Sequence, residues 1–401
     1  MQADVIIVGS GASGLFAAMK LCNRGLSVVV LEARDRVGGR IRTFLPPDGG
    51  PPAELGAQVV HGDANPLWKL LGELGPVSAH RQATPRVLLS GKLLHIGVLT
   101  RLGIPPWALE SRLPAVDEPV QASLSEWGAS AGPPGVAAEW FRQNWAADPG
   151  DLSAAGLLAA RAADRSGTGE YDVEGGLRTI VDKLAAGLDI RTGTPVRELT
   201  FGPGGVTAHT SSGAFTAGRA VITVPPPVIT SGRLAIPGLP DRKLAAAGRL
   251  PLGDGCCAVV TLSAPAPDSS LVFDATGGAG FVRCLRGRPE VVVVAKGPAA
   301  VRARAALAEP AGVSGLLADA LPWTAGAAVT GIELADWGAD EWIGGSFTYP
   351  AVGSAGAAAA WAEPVGGTLY FAGEAAAPGP ASVQGAMASG AEAANRIMEE
   401  L

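Results

Sequence analysis

Asp4-Val-Ile-Ile-Val-Gly-Ser-Gly-Ala-Ser-Gly14 stands near the start of the chain, and Glu32-Ala-Arg-Asp-Arg-Val-Gly-Gly-Arg40-Ile-Arg-Thr43 begins eighteen residues beyond its last glycine. Val5 to Val8 is an apolar run without a turn residue, the pattern of a parallel strand buried on both faces. Gly9, Gly11 and Gly14 follow at the G-x-G-x-x-G spacing. The first glycine permits a tight turn, the second brings backbone close to a pyrophosphate, and the third lets the next helix pack on the strand. The spacing predicts that helix over Leu15 to Asn23, with its N-terminal N–H groups facing phosphate, and a second strand over Leu26 to Leu31. Glu32 ends this strand, where a carboxylate accepts hydrogen bonds from a ribose diol. Strand, glycines, helix, strand and acid in register predict a doubly wound α/β dinucleotide-binding unit.

Arg34, Arg36, Gly38, Gly39, Arg40 and Thr43 continue the motif as E-x-x-x-x-x-G-G-R-x-x-T. Bare amides and a guanidinium suit a diphosphate, which arginine contacts in bidentate fashion. This pattern resembles the second signature of FAD-binding flavoproteins of the amine oxidase superfamily. Further segments resemble the same superfamily, its polyamine oxidases and lysine-specific histone demethylases in particular. They are Glu54-Leu-Gly-Ala-Gln-Val-Val-His61 to Leu67, Tyr171 to Leu184, Ala220-Val-Ile-Thr-Val224-Pro-Pro-Pro, Trp337 to Gly356, and Gly366 to Arg396 with its Phe371-Ala-Gly-Glu374.

Composition is compatible with such an enzyme. The 401 residues are 47% hydrophobic, enough for a substantial core and two domains, and the formal charge of −6 argues against a nucleic-acid backbone as ligand. The four cysteines show neither disulfide-framework nor metal-pair spacing and point to a reducing compartment. No apolar run reaches a membrane-spanning length, and the first strand starts at Asp4, so the expectation is a cytoplasmic protein without a membrane partner.

The resemblance implies a Rossmann-like FAD-binding domain from residues 1–73, 190–228 and 330–401, and a discontinuous α+β substrate-binding domain from 74–189 and 229–329. Asp189 to Val196 reads as one strand, Val206 to Thr210 and Ala214 to Ala217 as a hairpin, and Leu152 to Ala163 as a helix. Residues implied to hold FAD are Gly9, Gly11, Ser13, Gly14, Glu32, Ala33, Arg34, Gly39, Arg40, Gly56, Ala57, Gln58, Val59, Val196, Trp337, Gly373, Glu374, Ser382 and Val383. At Ser346 the monoamine oxidases carry the cysteine that attaches their flavin, so here the FAD is expected to be non-covalent.

The catalytic candidates are His61, Phe347, Cys257 and Ser382. The imidazole of His61 suits either proton exchange with an amine or a hydrogen-bonded turn. Phe347 falls where relatives place an aromatic wall of the amine site, and its ring favours a nearby cation. The N–H groups of Ser382 and Val383, at a helix start, suit negative charge developing on the flavin. Leu250-Pro-Leu-Gly-Asp-Gly-Cys-Cys257 departs from the pattern, since relatives carry a lysine where Cys257 stands and a neutral thiol supplies no ammonium. Lys296 ends a strand before a turn into a helix and is no obvious substitute. Cys256 and Cys257 read as small buried hydrophobes, and Trp107, Trp127, Trp140 and Trp145 as core more than cavity wall.

The implied reaction takes a hydride from the carbon beside an amine nitrogen, with dioxygen as acceptor and hydrogen peroxide as product. Its substrate would be a small-molecule amine, secondary or polyamine-like. Two alternatives stay open: a biosynthetic flavoenzyme acting on a larger natural-product amine or amide, and a flavin-bearing binding protein without turnover. A homodimer is also left open.

Overall fold

Val5 to Val8 lies where its composition requires, in the middle of a sheet with all four side chains buried. The computed structural model describes residues 2–400 apart from 66, 67, 69–76, 80–82, 103–105, 129–131, 133 and 134. In chain order the strands of the two large sheets begin with Gln2–Val8 (β1), Val28–Leu31 (β2), Thr84–Leu89 (β3), Lys92–His95 (β4), Asp189–Arg191 (β5), Val196–Gly202 (β6) and Gly205–Thr210 (β7). They continue with Gly213–Ile222 (β8), Gly255–Leu262 (β9), Ser270–Asp274 (β10), Phe281–Cys284 (β11), Glu290–Lys296 (β12), Val329–Asp336 (β13) and Leu369–Phe371 (β14). The helices that matter here are Ala12–Cys22 (α1), Val136–Trp145 (α2), Ala154–Ala163 (α3), Arg178–Ala185 (α4), Asp241–Gly248 (α5), Pro298–Leu307 (α6), Ala357–Ala362 (α7) and Val383–Glu399 (α8).

The first sheet has the order β5-β2-β1-β8-β7-β6, with β14 also paired to β8. Its centre is parallel, Ile6 lying beside Val29 on one side and Ala220 on the other. Helices α1 and α8 cover one face, where Leu21, Ala393 and Ile397 are buried with Val5, Ile7 and Val30. The other face is closed by Trp361, Phe371 and Leu250. Both faces are dry, which is why these strands are unbroken apolar runs.

The second sheet runs β13-β9-β12-β11-β10-β3-β4. Strand β12 shows how its sequence chooses a face. Val291, Val293 and Ala295 are buried against Ala299, Ala300 and Ala303 of α6, while Val292, Val294 and Lys296 point the opposite way. Successive side chains of a strand alternate faces, so one run builds a core and a cavity wall together.

Three details differ from the sequence reading. Asp189 to Val196 is two strands, because Gly193 N donates to the Arg34 carbonyl (2.6 Å) and Thr194 N to the Glu32 carbonyl (2.8 Å) before Pro195, which has no N–H to donate. The hairpin strand and the Ala220 run are one ten-residue strand, β8, which serves β7 with its first half and β14 with its second. Residues 330–336 of β13, grouped from sequence with the dinucleotide unit, belong to a strand hydrogen-bonded to β9 of the second sheet. Pro66 and Leu67, at the end of one matching segment, lie outside the described residues. Among the described residues no helix is long and apolar enough to cross a membrane.

Candidate active site

The turn after β1 is built by close approach. A Cβ on Gly14 would lie 2.1 Å from the Gly9 carbonyl oxygen, so only a glycine lets α1 sit this near the strand end. Gly11 is different: its φ is −71°, and a Cβ there would meet nothing within 4 Å. No side chain caps the start of α1, and the hydroxyl of Ser13 is buried without a hydrogen-bond partner. A helix start with free N–H groups, an unused hydroxyl and open space over a glycine is the donor set of an anion site.

Glu32 is buried at the end of β2. It accepts from Ser10 N (2.8 Å) and Ser10 Oγ (2.6 Å), and from Arg34 N (3.0 Å). Gly38 N donates to the Ser10 carbonyl (2.9 Å), which lays the second glycine pair against the first loop. Arg40 then reaches across the chain, donating from Nη1 to Glu374 Oε2 (2.8 Å) and to the Ser346 carbonyl (3.0 Å). Glu374 also accepts from Thr348 N (2.9 Å). Three distant stretches of sequence are thus joined by one guanidinium and one carboxylate.

A continuous cavity of about 860 Å³ begins at this loop and runs to the second sheet. Every residue expected to hold the cofactor lines it except Gly14, which lies in the first turn of α1 on the side packed against Gly9. His61, Cys257, Phe347 and Ser382 line it too. His61 is half exposed, paired across strands with Glu170, whose Oε1 is 3.8 Å from Nδ1. Ser382 is the N-cap of α8, and its hydroxyl accepts from Gly385 N (3.1 Å). Its oxygen therefore serves the helix.

Cys257 is fully enclosed. Its sulfur lies 3.3 Å from the Glu54 carbonyl and 3.6 Å from Gln58 Nε2, and burial raises its pKa far above that of an ordinary thiol. Cys256 points the other way, toward the Ala300 carbonyl of α6, and burial pushes it up to about 12. All four cysteines are free. Neighbouring Glu54 is buried as well; desolvation pushes its carboxyl up to about 7, against hydrogen bonds from Leu177 N (2.7 Å) and Thr43 Oγ1 (2.8 Å).

Phe347 is held by a short ladder: Gly253 N donates to its carbonyl (3.0 Å), and Ser346 N and Oγ both donate to the Gly253 carbonyl (2.7 and 2.9 Å). Beside the ring stands a residue that the sequence reading set aside. Lys296 Nζ is 5.5 Å from the Phe347 ring centroid and donates to the Gln143 carbonyl. Burial lowers its pKa to about 8. The alternation of β12 was the available signal; which face held the cavity was not. Trp140 and Trp145 also reach the cavity, while Trp107 is exposed.

This arrangement places a glycine loop with unused donors and a buried acid at one end of the cavity, and an apolar wall with one amine at the other. A sequence profile described as flavin containing amine oxidoreductase matches residues 12–125 and 136–398. The chain is 30% identical to lysine-specific histone demethylase 1 homolog 1 of Arabidopsis thaliana over 98% of its own length and 52% of that protein's, so it spans about half of that relative. It is 28% identical to polyamine oxidase 2 of the same plant, over 99% of this chain and 89% of the other. A solved putrescine oxidase variant superposes with a TM-score of 0.81 at 24% identity, covering 100% of this chain and 99% of that one.

Proposed function

The chain belongs to the flavin containing amine oxidoreductase family, and from that premise we propose that it is an FAD-dependent oxidase of a small-molecule amine. The observation that carries the reading is the single cavity joining Gly11 and Glu32 to Phe347 and Lys296. The unpartnered Ser13 hydroxyl and the open space over Gly11 fit a diphosphate, Glu32 and Val196 fit the adenosine, and Gly56 to Val59, Trp337 and Gly373 fit the ring system. Bound FAD would supply the two-electron acceptor for the carbon beside the amine nitrogen, with dioxygen as the final acceptor and hydrogen peroxide as product.

The protein's own part is to bind, orient and exclude water. Phe347, Phe281, Trp140 and Val294 give the amine's carbon skeleton an apolar wall. The nitrogen already beside Phe347 is that of Lys296, so the site has room for one positive charge and favours an amine that stands at the ring uncharged. Arg40 and Glu374 tie the cofactor loop to the Phe347 segment, holding the two halves of the reaction in one frame. Ser346 has no thiol, its hydroxyl is committed to the Gly253 carbonyl, and the Cys257 thiol is kept protonated; all three support a non-covalent FAD.

Reconstitution with FAD followed by anaerobic mixing with a panel of secondary amines and polyamines tests the reading. Flavin bleaching by an amine, and peroxide release under air, are expected. A protein that takes up no FAD, or a loaded one that no amine reduces, refutes it.

A further inference from the structure

We propose that Lys296 is the proton acceptor of the amine site: its uncharged side chain takes the proton from an incoming substrate ammonium, so that the amine stands neutral beside Phe347. The inference rests on the amine-oxidising reading above. It stands first on register. Lys296 is paired with Gly255, Val294 with Cys257, and Val294 with Phe281 on the other side. Directly paired residues of an antiparallel ladder share a face, and this face lines the cavity. Gly255 adds no side chain beside the lysine.

It stands next on the surroundings of the nitrogen. Nζ has a carbonyl acceptor at Gln143 and two rings, Phe347 at 5.5 Å and Phe281 at 6.0 Å from their centroids. Gln143 also clamps the backbone, accepting from Lys296 N at 3.1 Å and donating to the Lys296 carbonyl at 3.0 Å. The charged and titratable groups on the packed elements are Cys257 on β9, Asp254 just before it, Glu139 and Arg142 on α2, and Arg283 on β11. Glu139 is held by Gln143 and Arg142, Asp254 by Arg304, and Arg283 lies 3.7 Å from Asp172. Among the described residues no carboxylate is paired with Lys296, and burial brings its pKa down to about 8.

The chemistry follows from charge. Two ammonium groups against one apolar wall repel strongly at low dielectric, so the site holds one proton between lysine and substrate. An N–H bond of the substrate ammonium breaks and an N–H bond forms at Nζ; no electrons change hands. The proton passes to water when the product leaves.

The test uses a cation with no proton to give. Binding of hexyltrimethylammonium to the FAD-loaded protein is measured by calorimetry across neutral pH. In the wild type its affinity is expected to fall about tenfold per pH unit below about 8, because one proton must leave Lys296 for the cation to bind. Lys296→Met should lose this slope, and Lys296→Arg, cationic throughout, should bind weakly at every pH. With ε-13C-lysine, the resonance missing from Lys296→Arg should titrate near 8 in the wild type, a measurement that stands even if Lys296→Met fails to fold. The same slope in wild type and Lys296→Met, no slope in wild type, no binding of the cation, or a 13C midpoint at the ordinary lysine value each overturns the proposal. None of these readouts needs turnover, so failure to oxidise any amine would sink the enzymatic reading by itself.

Discussion

Alanine at Gly14 and alanine at Gly11 separate what the glycine loop does for the fold from what it does for a ligand. At Gly14 the new Cβ would stand 2.1 Å from the Gly9 carbonyl oxygen, 2.9 Å from Thr223 Oγ1 and 3.0 Å from Ile7 Cγ2. Real Cβ atoms essentially never come within 3.0 Å of such neighbours, so α1 must retreat by about 1 Å from a strand it packs on through Ala17 and Ala18, both fully buried. Overpacking of this kind costs about 3 kcal/mol, which urea unfolding of the apoprotein would read as a clear drop in midpoint. At Gly11 the backbone is extended, and nothing lies within 4 Å of the added carbon. Stability should therefore change by less than about 1 kcal/mol. The same methyl occupies the space assigned to the diphosphate, so FAD affinity, followed by quenching of flavin fluorescence, should fall by about 100-fold or more, the equivalent of roughly 3 kcal/mol. Gly11→Ala binding FAD like the wild type would refute the placement of the cofactor. Gly14→Ala as stable as the wild type would refute the packing argument.

Glu374→Ala removes an acceptor of Arg40 Nη1 and that of Thr348 N and leaves a partly buried guanidinium with the Ser346 carbonyl but no carboxylate; a loss of about 3 kcal/mol in urea unfolding is expected, and an unchanged midpoint would show that the pair holds nothing together. Glu54→Gln tests the buried carboxyl. The folded state holds its proton with a pKa of about 7 against an ordinary 4.5, so the wild type should lose about 3 kcal/mol of stability as pH rises from 4.5 through 7 and lose no more above that. The variant should lack this difference when the two unfolding curves are subtracted, and identical pH profiles would contradict the assignment. Lys243→Met strips three carbonyls at the end of α7, those of Ala360, Trp361 and Glu363, of their buried donor, and should cost on the order of 3 kcal/mol at neutral pH by thermal or urea unfolding. Burial drives the Lys243 pKa down to about 7, so the wild type should gain stability from pH 7 toward 10.5, a trend the methionine variant should not share.

The first half of the site could be read along the chain because its constraints are local. Gly9 and Gly14 are needed by a turn and a helix within a dozen residues of each other, and Val5 to Val8 and Val28 to Leu31 are apolar throughout because both faces of a central parallel strand are dry. Glu32 and Arg40 carry their meaning in spacing from those glycines. The departure at Cys257 was also visible in the chain, since a thiol stands where an ammonium was expected. Spacing alone could not divide Asp189 to Val196 into two strands, because the split depends on where the Glu32 and Arg34 carbonyls come to lie.

The amine end belongs to the tertiary structure. Lys296, Gln143, Phe347 and Cys257 come from four separate segments, and they meet only through the pairing of β12 with β9 and the packing of α2 and the Phe347 segment on the sheet they form. An alternating strand states that it has two faces but not which one is wet, and a one-residue slip would have sent Lys296 into the alanine-lined core of α6. The chain's own order of residues therefore determined the glycine loop, its acid and the class of fold. Strand register, which is set by contacts between residues far apart along the chain, decided that a buried amine faces the same cavity.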